Sequence, residues 1–595
     1  MLTVLNPKKV GMKGTKFRLP WFGDSISKNS GKKLWSRQDS FEEVGLVDNQ
    51  TRKISANRLF VFYIASFIIL LIFLGRLFHL TVIAGSENRD LAEGNRIKLV
   101  EREAHRGIIY DRRGNVLARS GMVYWLVKNG EVKWITREQA EELEREGLAS
   151  ENFEGDLGII RLEVKREYLL GEVAAHVLGY TSEVQEGDLK ENGSLSLVQS
   201  IGRLGLEQNY NNFLTGKVGK KIIEVDTFGK KVSILGEQES VSGQDIQTTL
   251  DGQLQEKVYE ALNKQAGMVA TKKGAVVVQN PNTGEVLALV SVPSFNPEDI
   301  GKSVADLEKP FFNRVTQGVY PPGSVFKIVT ALAGLQSGQI DEQTEIEDVG
   351  EFELGGSKFS NWFFNKYGKT DGVIKIQKAI ARSNDIFFYR VAEKIGLESL
   401  SDMAKDLGLG QKTGIDLPTE AIGLVPDEVW KQSAYGDNWY LGDTMHLGIG
   451  QGFLLTTPIQ MNAVTSFVAT GKLTKPYLVS KIGSESGELA ELSTKVLGEN
   501  IVASNNLELV RAGMKDACKL GGTGAPFFSA KYEVGCKTGT AEKELGNPHA
   551  WFTVFAPFEN PQIALTVIIE DGGEGSSVAA PVAKEIVDWW IDNRL

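Results

Sequence analysis

Apolar and polar positions follow different periods in different parts of this chain. From Leu59 to Gly75, 17 consecutive residues (LFVFYIASFIILLIFLG) carry no charge; Arg76 interrupts, and LFHLTVIAG continues to Gly85. A helix needs roughly 20 apolar residues to cross a bilayer, and an arginine near one end can extend its charge to the interface. The pattern predicts one uncleaved anchor over residues 59–82. A cleaved leader fits less well. Its apolar region is about 7–15 residues long and follows closely on a short basic start, whereas here 58 residues precede the run and only Val82-Ile83-Ala84 looks like a cleavage site.

Helical spacing returns at Gln253–Lys264, where Leu254, Val258, Ala261 and Leu262 share a face. Two apolar runs, Ala275–Val278 and Val286–Val290, flank the turn residues Asn280-Pro281-Asn282-Thr283-Gly284 and predict a hairpin. Strands are expected at Trp551–Ala556 and Ile563–Glu570, then a helix at Val582–Trp590. This order predicts an α+β domain, an antiparallel sheet flanked by helices. Between 86 and 242 the runs are shorter. Arg106–Gly114 reads as a strand entering a tight turn, and Arg137–Gly147 as a solvated helix. The expected organisation is a tail over 1–58, the anchor over 59–82, a mixed α/β module that carries little chemistry over 86–242 and a second, α+β domain over 243–595.

Charge orients the anchor. The chain has 595 residues and a formal charge of −10, but residues 1–58 hold twelve Lys/Arg against five Asp/Glu, which is +7 and leaves −17 for the rest. Arg52, Lys53 and Arg58 adjoin the span, so the tail is expected in the cytoplasm, largely disordered, and the body outside. The acidic body argues against nucleic-acid binding. The five histidines are scattered without metal-ligand spacing, and no metal or organic cofactor is expected. Cys518 and Cys536 allow either one bridge or two buried thiols.

Three short motifs could carry chemistry. Ser324-Val325-Phe326-Lys327 follows Tyr320-Pro321-Pro322-Gly323 and opens an apolar helix, so Lys327 lies one turn from Ser324 and could take its proton. Ser383-Asn384-Asp385 sits between two helical runs, Ile374–Ala381 and Ile386–Ile395, and reads equally as a helix cap. Lys537-Thr538-Gly539-Thr540 precedes the C-terminal strands. There, lysine and hydroxyl side chains could hold a carboxylate, and Gly539 lets a substrate backbone approach. Each motif has decoys: Ser25-Ile26-Ser27-Lys28 in the tail, Lys412-Thr413-Gly414 in a turn, and Ser504-Asn505-Asn506 at a helix start.

The order of the three motifs, with Ser383 lying 59 residues after Ser324 and Lys537 a further 154 on, resembles the penicillin-binding proteins. Arg106–Leu117 looks like the pedestal motif of class B members. Gly205-Leu206-Glu207, Gly274–Ser291, Tyr320–Thr330, Gly408–Pro418, Gly448–Pro458 and Gly535–Glu542 look like class B segments in their usual order. Asp385 stands where most members have Asn, a form similar to the elongation subgroup, penicillin-binding protein 2.

The resemblance implies a peptidoglycan D,D-transpeptidase of serine β-lactamase-like fold. Ser324 is then the nucleophile and Lys327 the general base; Ser383, Asp385 and Lys537 complete the catalytic set. Asn384, Thr538, Gly539 and Thr540 are expected to bind substrate. The implied ligands are stem peptides and β-lactams. The implied partners are a SEDS-type glycosyltransferase and other membrane proteins of the elongation complex, since no glycosyltransferase module is expected before Gly243. Alternatives of the same fold are a division-specific transpeptidase and a carboxypeptidase or β-lactamase that transfers to water. A non-catalytic β-lactam sensor or envelope scaffold is the reading from another class.

Overall fold

The computed structural model describes residues 56–150, 157–193, 195–226, 231–483, 490–543 and 545–595. The expected tail lies outside these apart from its last three residues, as does the decoy Ser25–Lys28. The chain divides into two compact units, Met1–Asn88 and Arg89–Leu595.

In the first unit, a helix over Ala56–Phe78 passes into a π-helical turn at His79–Ile83. Its 25-residue stretch Leu59–Ile83 is long and apolar enough to cross a membrane, and none of it is buried. At 1.5 Å per residue such a stretch spans about 37 Å, against about 30 Å of hydrocarbon. Arg76 lies in the last turn of the α-helical part.

In the second unit, a three-stranded sheet joins Ile97–Arg102, Gly219–Val225 and Lys231–Gln238. Beyond it lies an eight-stranded sheet that crosses the sequence boundary expected at 242/243. Ile109–Tyr110 pairs antiparallel with Val116–Lys128 and parallel with Asp245–Thr248, which in turn pairs with Val479–Gly483. Pedestal and catalytic part therefore share hydrogen-bonded strands rather than meeting through a linker. Asp416 adds a tie from the decoy loop: it accepts from the Tyr210 hydroxyl at 2.8 Å and from the amides of Leu478 and Val479.

Two segments noted in the sequence meet in the pedestal. The Glu207 carboxylate, fully buried, accepts from Arg106 Nη2 and Arg166 Nε, each at 2.7 Å. Burial pushes Glu207 up, but the two guanidinium groups more than offset it and hold it below the usual carboxylate range. In the turn after Ile109–Tyr110, Asp111 accepts from the Arg113 and Asn115 amides, and Gly114 takes the φ of +84° that closes it.

The catalytic part is an antiparallel sheet of β1 (Gly274–Gln279), β2 (Val286–Val292), β3 (Gly535–Ala541), β4 (His549–Ala556) and β5 (Ile563–Ile569), in the order β2-β1-β5-β4-β3. Both faces are covered, which is why the strand sequences are apolar almost throughout. Val276 and Val278 of β1, with Phe552 and Val554 of β4, face α1 (Gly252–Ala266) and the C-terminal helix Ala579–Arg594. Ala275, Val277, Trp551 and Phe555 face the opposite side, toward α2 (Lys327–Gln336) and the helix Pro458–Thr470. Strand β3 is the edge, so one side of its backbone has no strand partner among the described residues. The first segment of the helix Asp385–Asp406 ends where the apolar periodicity predicts, because Gly396 at φ 74° breaks it.

Candidate active site

Ser324 lies in a 3-10 turn, Gly323–Phe326, that runs directly into α2. The predicted helix start is therefore tighter than an α-turn. Side chains three apart eclipse in a 3-10 turn, so Ser324 and Lys327 still share a face. Two hydrogen bonds hold the turn, from Gly323 to the Gly450 carbonyl at 2.8 Å and from the Trp551 indole of β4 to the Pro321 carbonyl at 3.1 Å. It lies close on β3, where a Cβ on Gly323 would come within 2.8 Å of the Thr540 carbonyl oxygen. Gly539 makes this approach possible, since a Cβ there would lie 2.9 Å from Trp551 Cβ and 3.2 Å from the Pro322 carbonyl. The space that Gly539 was expected to leave for substrate is thus occupied in part by the protein's own turn.

Behind Ser324, two lysines are completely buried. Lys327 Nζ donates to Asp385 Oδ1 at 2.6 Å, to the Ser383 carbonyl at 2.8 Å and to Ser383 Oγ at 3.4 Å. The sequence placed this amine on the Ser324 hydroxyl; here its three donors go to the 383–385 turn. A buried ammonium takes a carboxylate and a carbonyl in preference to a neutral hydroxyl. Lys537 Nζ donates to Ser383 Oγ at 2.7 Å and to the Thr538 carbonyl at 2.9 Å. Ser383 Oγ therefore stands between the two amines.

Burial lowers Lys327 below the ordinary lysine range, although Asp385 pulls it back up. Lys537 is held well below that range, first by burial and then by the neighbouring charge of Lys327. Both amines thus give up a proton more readily than an ordinary lysine does.

Ser383 adopts the left-handed conformation (φ 53°, ψ 39°) at the end of α3 (Ile376–Arg382). For a non-glycine residue this costs about 1–3 kcal/mol. The twist carries the chain from α3 into α4 (Asp385–Asp406) and leaves the Ser383 carbonyl and hydroxyl pointing at Lys327. Asp385 Oδ2 accepts from the Trp362 amide at 2.9 Å, so its carboxylate is held from both sides.

Asn384 departs from its expected role. Its side chain is fully buried: Oδ1 caps α4 at the Phe387 amide, and Nδ2 donates to Asp348 and Asp371. With no exposed surface and its polar atoms engaged in these bonds, it has nothing to offer a substrate, and the capping reading of the motif holds for this residue. Thr538 Oγ1 donates to Thr523 Oγ1 at 2.9 Å, and Thr540 Oγ1 accepts from the Gly575 amide at 3.4 Å. Thr540 is half-buried on β3, while Thr538 is buried. Gln451 reaches the Thr540 carbonyl at 3.5 Å.

Trp362 and Thr523 were missed in the sequence. Trp362 opens the short helix Trp362–Tyr367, where no motif spacing marks it. Thr523 could have been found from the cysteines: Cys518 and Cys536 form a disulfide, with a Cα–Cα distance of 5.9 Å, that carries the 519–524 loop to β3. Of the decoys, Lys412-Thr413-Gly414 is a turn in which Thr413 bonds Glu420. Ser504-Asn505-Asn506 opens the helix Ser504–Ala517, but Ala503 holds the cap position and no side chain caps it.

Residues 274–588 match the penicillin binding protein transpeptidase domain, and residues 133–248 match the penicillin-binding protein dimerisation domain. The chain is 32% identical to peptidoglycan D,D-transpeptidase MrdA of Haemophilus influenzae, over 91% of this chain and 93% of that protein. It superposes on PBP2 of Helicobacter pylori, solved in complex with MreC, with a TM-score of 0.70 and 29% identity over 84% of this chain and 100% of that one. It also superposes on a chain of a peptidoglycan synthase complex that coordinates polymerization and crosslinking, with a TM-score of 0.72 and 28% identity over 92% of this chain and 100% of that one. With motif order, sheet topology and likeness in agreement, the chain belongs to the penicillin-binding protein family, as a serine D-Ala-D-Ala transpeptidase of peptidoglycan.

Proposed function

We propose that Ser324 is the residue acylated in the cross-linking of stem peptides, that Lys327 carries its proton, and that Lys537 holds Ser383 as the relay to the leaving group. The observation that carries this reading is the position of Ser383 Oγ between Lys537 Nζ and Lys327 Nζ, the latter one turn on from Ser324. Ser324 Oγ attacks the carbonyl carbon of the penultimate D-Ala while its proton passes to neutral Lys327. Catalytic hydrogen bonds are commonly long in a free enzyme and tighten when substrate binds, so the Lys327 amine has to swing from the 383–385 turn toward Ser324. The amides of Ser324 and Thr540 receive the oxyanion; losing one such donor costs about 2.7–4 kcal/mol of transition-state stabilisation.

As the C–N bond breaks, the Ser383 hydroxyl, held by Lys537, protonates the departing D-Ala amine and is resupplied with the proton that Lys327 took from Ser324. The hydroxyls of Thr538 and Thr540, beside Gly539 on β3, hold the terminal carboxylate. An amine of a second stem peptide then attacks the ester, forms the cross-link amide and restores Ser324. A β-lactam, as a D-Ala-D-Ala mimic, stops at the acyl-enzyme.

The Ser-x-Asp form at 383–385 and the likeness to MrdA support a role in side-wall elongation. The basic flank of the apolar helix supports a cytoplasmic N-terminus with the catalytic part outside. The similar assemblies suggest an MreC-like protein and a polymerising component of a peptidoglycan synthase complex as partners; that the polymerase is of SEDS type rests on the family resemblance alone. Labelling with a fluorescent penicillin tests the core of this reading. The wild type takes the label covalently and Ser324→Ala does not; equal labelling of both removes Ser324 from its role.

A further inference from the structure

The 383–385 turn is braced from behind by a buried polar network that no motif announces. Asp348, 3% exposed, accepts four hydrogen bonds. Its Oδ1 takes the Gly350 amide at 2.9 Å. Its Oδ2 takes Asn361 Nδ2, Asn384 Nδ2 and the Asp371 amide, each at 2.8 Å. Asn361 and Asn384 are themselves fully buried. Each hands the restraint on to the site. Asn361 Oδ1 accepts from the Asp385 amide at 3.2 Å, and the next amide along, that of Trp362, is the one that holds Asp385 Oδ2. Asn384 is flanked in the chain by Ser383 and Asp385 and is also tied to Asp371 Oδ2 at 3.1 Å. Asp371 in turn holds Arg382, the residue before Ser383, at 2.9 Å.

Each of these four bonds comes from a neutral N–H donor, and the carboxylate is almost fully buried, so a lost partner leaves a buried polar group unsatisfied. A network of this kind is costly to build in part and rigid when complete. It lies where a reactive turn must be held to within about half an ångström against its own left-handed strain.

We infer that Asp348 is a positioning residue for the transpeptidase reaction, fixing the Ser383–Asp385 turn through Asn361 and Asn384 so that Ser383 Oγ and Asp385 meet the two lysine amines. The inference rests on the proposed roles of those amines. Asp348 touches no substrate; its effect reaches the chemistry through Lys327. The charged groups facing Lys327 are Asp385 and Lys537. If the turn drifts, Asp385 loosens its hold on the amine, Lys327 releases its proton more readily, and the base becomes neutral at lower pH.

Two variants of the full chain test this. Asp348→Asn places an amide N–H against a donor whichever way it turns. Asn384→Ser is milder: serine still caps α4, but the reach to Asp348 and Asp371 is gone. For both, the rate of acylation by a fluorescent penicillin is expected to fall about tenfold or more, as small misplacements of a reacting group do. The rising limb of the rate against pH moves to lower pH. A purely structural role would lower the melting temperature and leave the limb where it is. If Asp348→Asn does not fold, Asn384→Ser decides. Wild-type rate and wild-type pH limb in Asn384→Ser overturn the inference. Labelling of Ser324→Ala, run alongside, would instead overturn the reading on which it rests.

Discussion

Ser383 Oγ accepts a 2.7 Å hydrogen bond from Lys537 Nζ, across 154 residues of chain. That bond joins an inter-helical turn to the edge strand and closes the back of the cleft. Ser383→Ala removes the hydroxyl between the two amines without emptying much volume. Acylation by penicillin is expected to slow by about 10²–10⁴, the usual worth of a positioned proton-transfer group, with little change in melting temperature. Stopped-flow acylation would measure it, and a change below threefold would remove Ser383 from the relay.

The charge on Asp385 sets the pH at which Lys327 can act. Burial lowers this lysine and Asp385 raises it. Asp385→Asn, which recreates the commoner Ser-x-Asn form, removes the raising influence, so Lys327 is neutral at lower pH and the acylation rate starts its rise earlier. Rates of β-lactam acylation from about pH 5 to 9 would reveal the shift. A limb that stays put or moves to higher pH contradicts the assignment of Lys327 as base.

His176 is buried, with Nε2 2.7 Å from the Pro310 carbonyl and its ring edge-on to Phe295. Burial pushes its pKa down from 6.5 to about 4. Between those values the unfolded chain binds a proton that the folded one refuses, so this residue's contribution is present above about pH 6.5 and is lost as pH falls toward 4. The difference amounts to about 3 kcal/mol. His176→Gln should thus be less stable than the wild type at pH 7, and the gap should narrow on acidification. Urea unfolding at pH 7 and pH 5 would check it; a gap independent of pH would show that the histidine is not held neutral.

Glu207 is the one acceptor shared by Arg106 and Arg166, and its side chain is fully buried. Glu207→Gln removes the buried carboxylate that the two guanidinium groups share. The expected loss is about 3–5 kcal/mol of stability, read from denaturant unfolding. Since the triad sits in the pedestal, residual folded protein should still take up penicillin at the wild-type rate.

Cys518 and Cys536 close a loop with a sequence separation of 18, and Cys536 adjoins Lys537 on β3. Replacing both by Ala should lower stability by about 2–4 kcal/mol, measured in urea, and should make stability insensitive to reductant. The variant should also acylate more slowly, because the loop carrying Thr523 to Thr538 is no longer stapled. Unchanged acylation would mean that this loop holds its place without the bridge.

What could be read from residue order alone is what local physics fixes. The charge-free run to Gly75 shows a helix able to span a bilayer, because bilayer thickness sets its length. The runs at 275–278, 286–290, 551–556 and 563–570 show the sheet, because strands covered on both faces must be apolar throughout. Ser324, Ser383 and Lys537 stand out because short motifs keep their spacing. Other features depend on groups far apart in the chain. The Lys327 amine turns to Asp385 rather than Ser324 because a buried charge seeks the strongest acceptor within reach, and that acceptor is 58 residues away. Asn384 faces Asp348 because the left-handed residue before it rotates the turn. Which of the two cysteine readings holds, which strands cross from pedestal to catalytic part, and which carboxylate braces the site were all settled by folding. Hydrogen bonds between distant segments leave no period and no spacing in the chain.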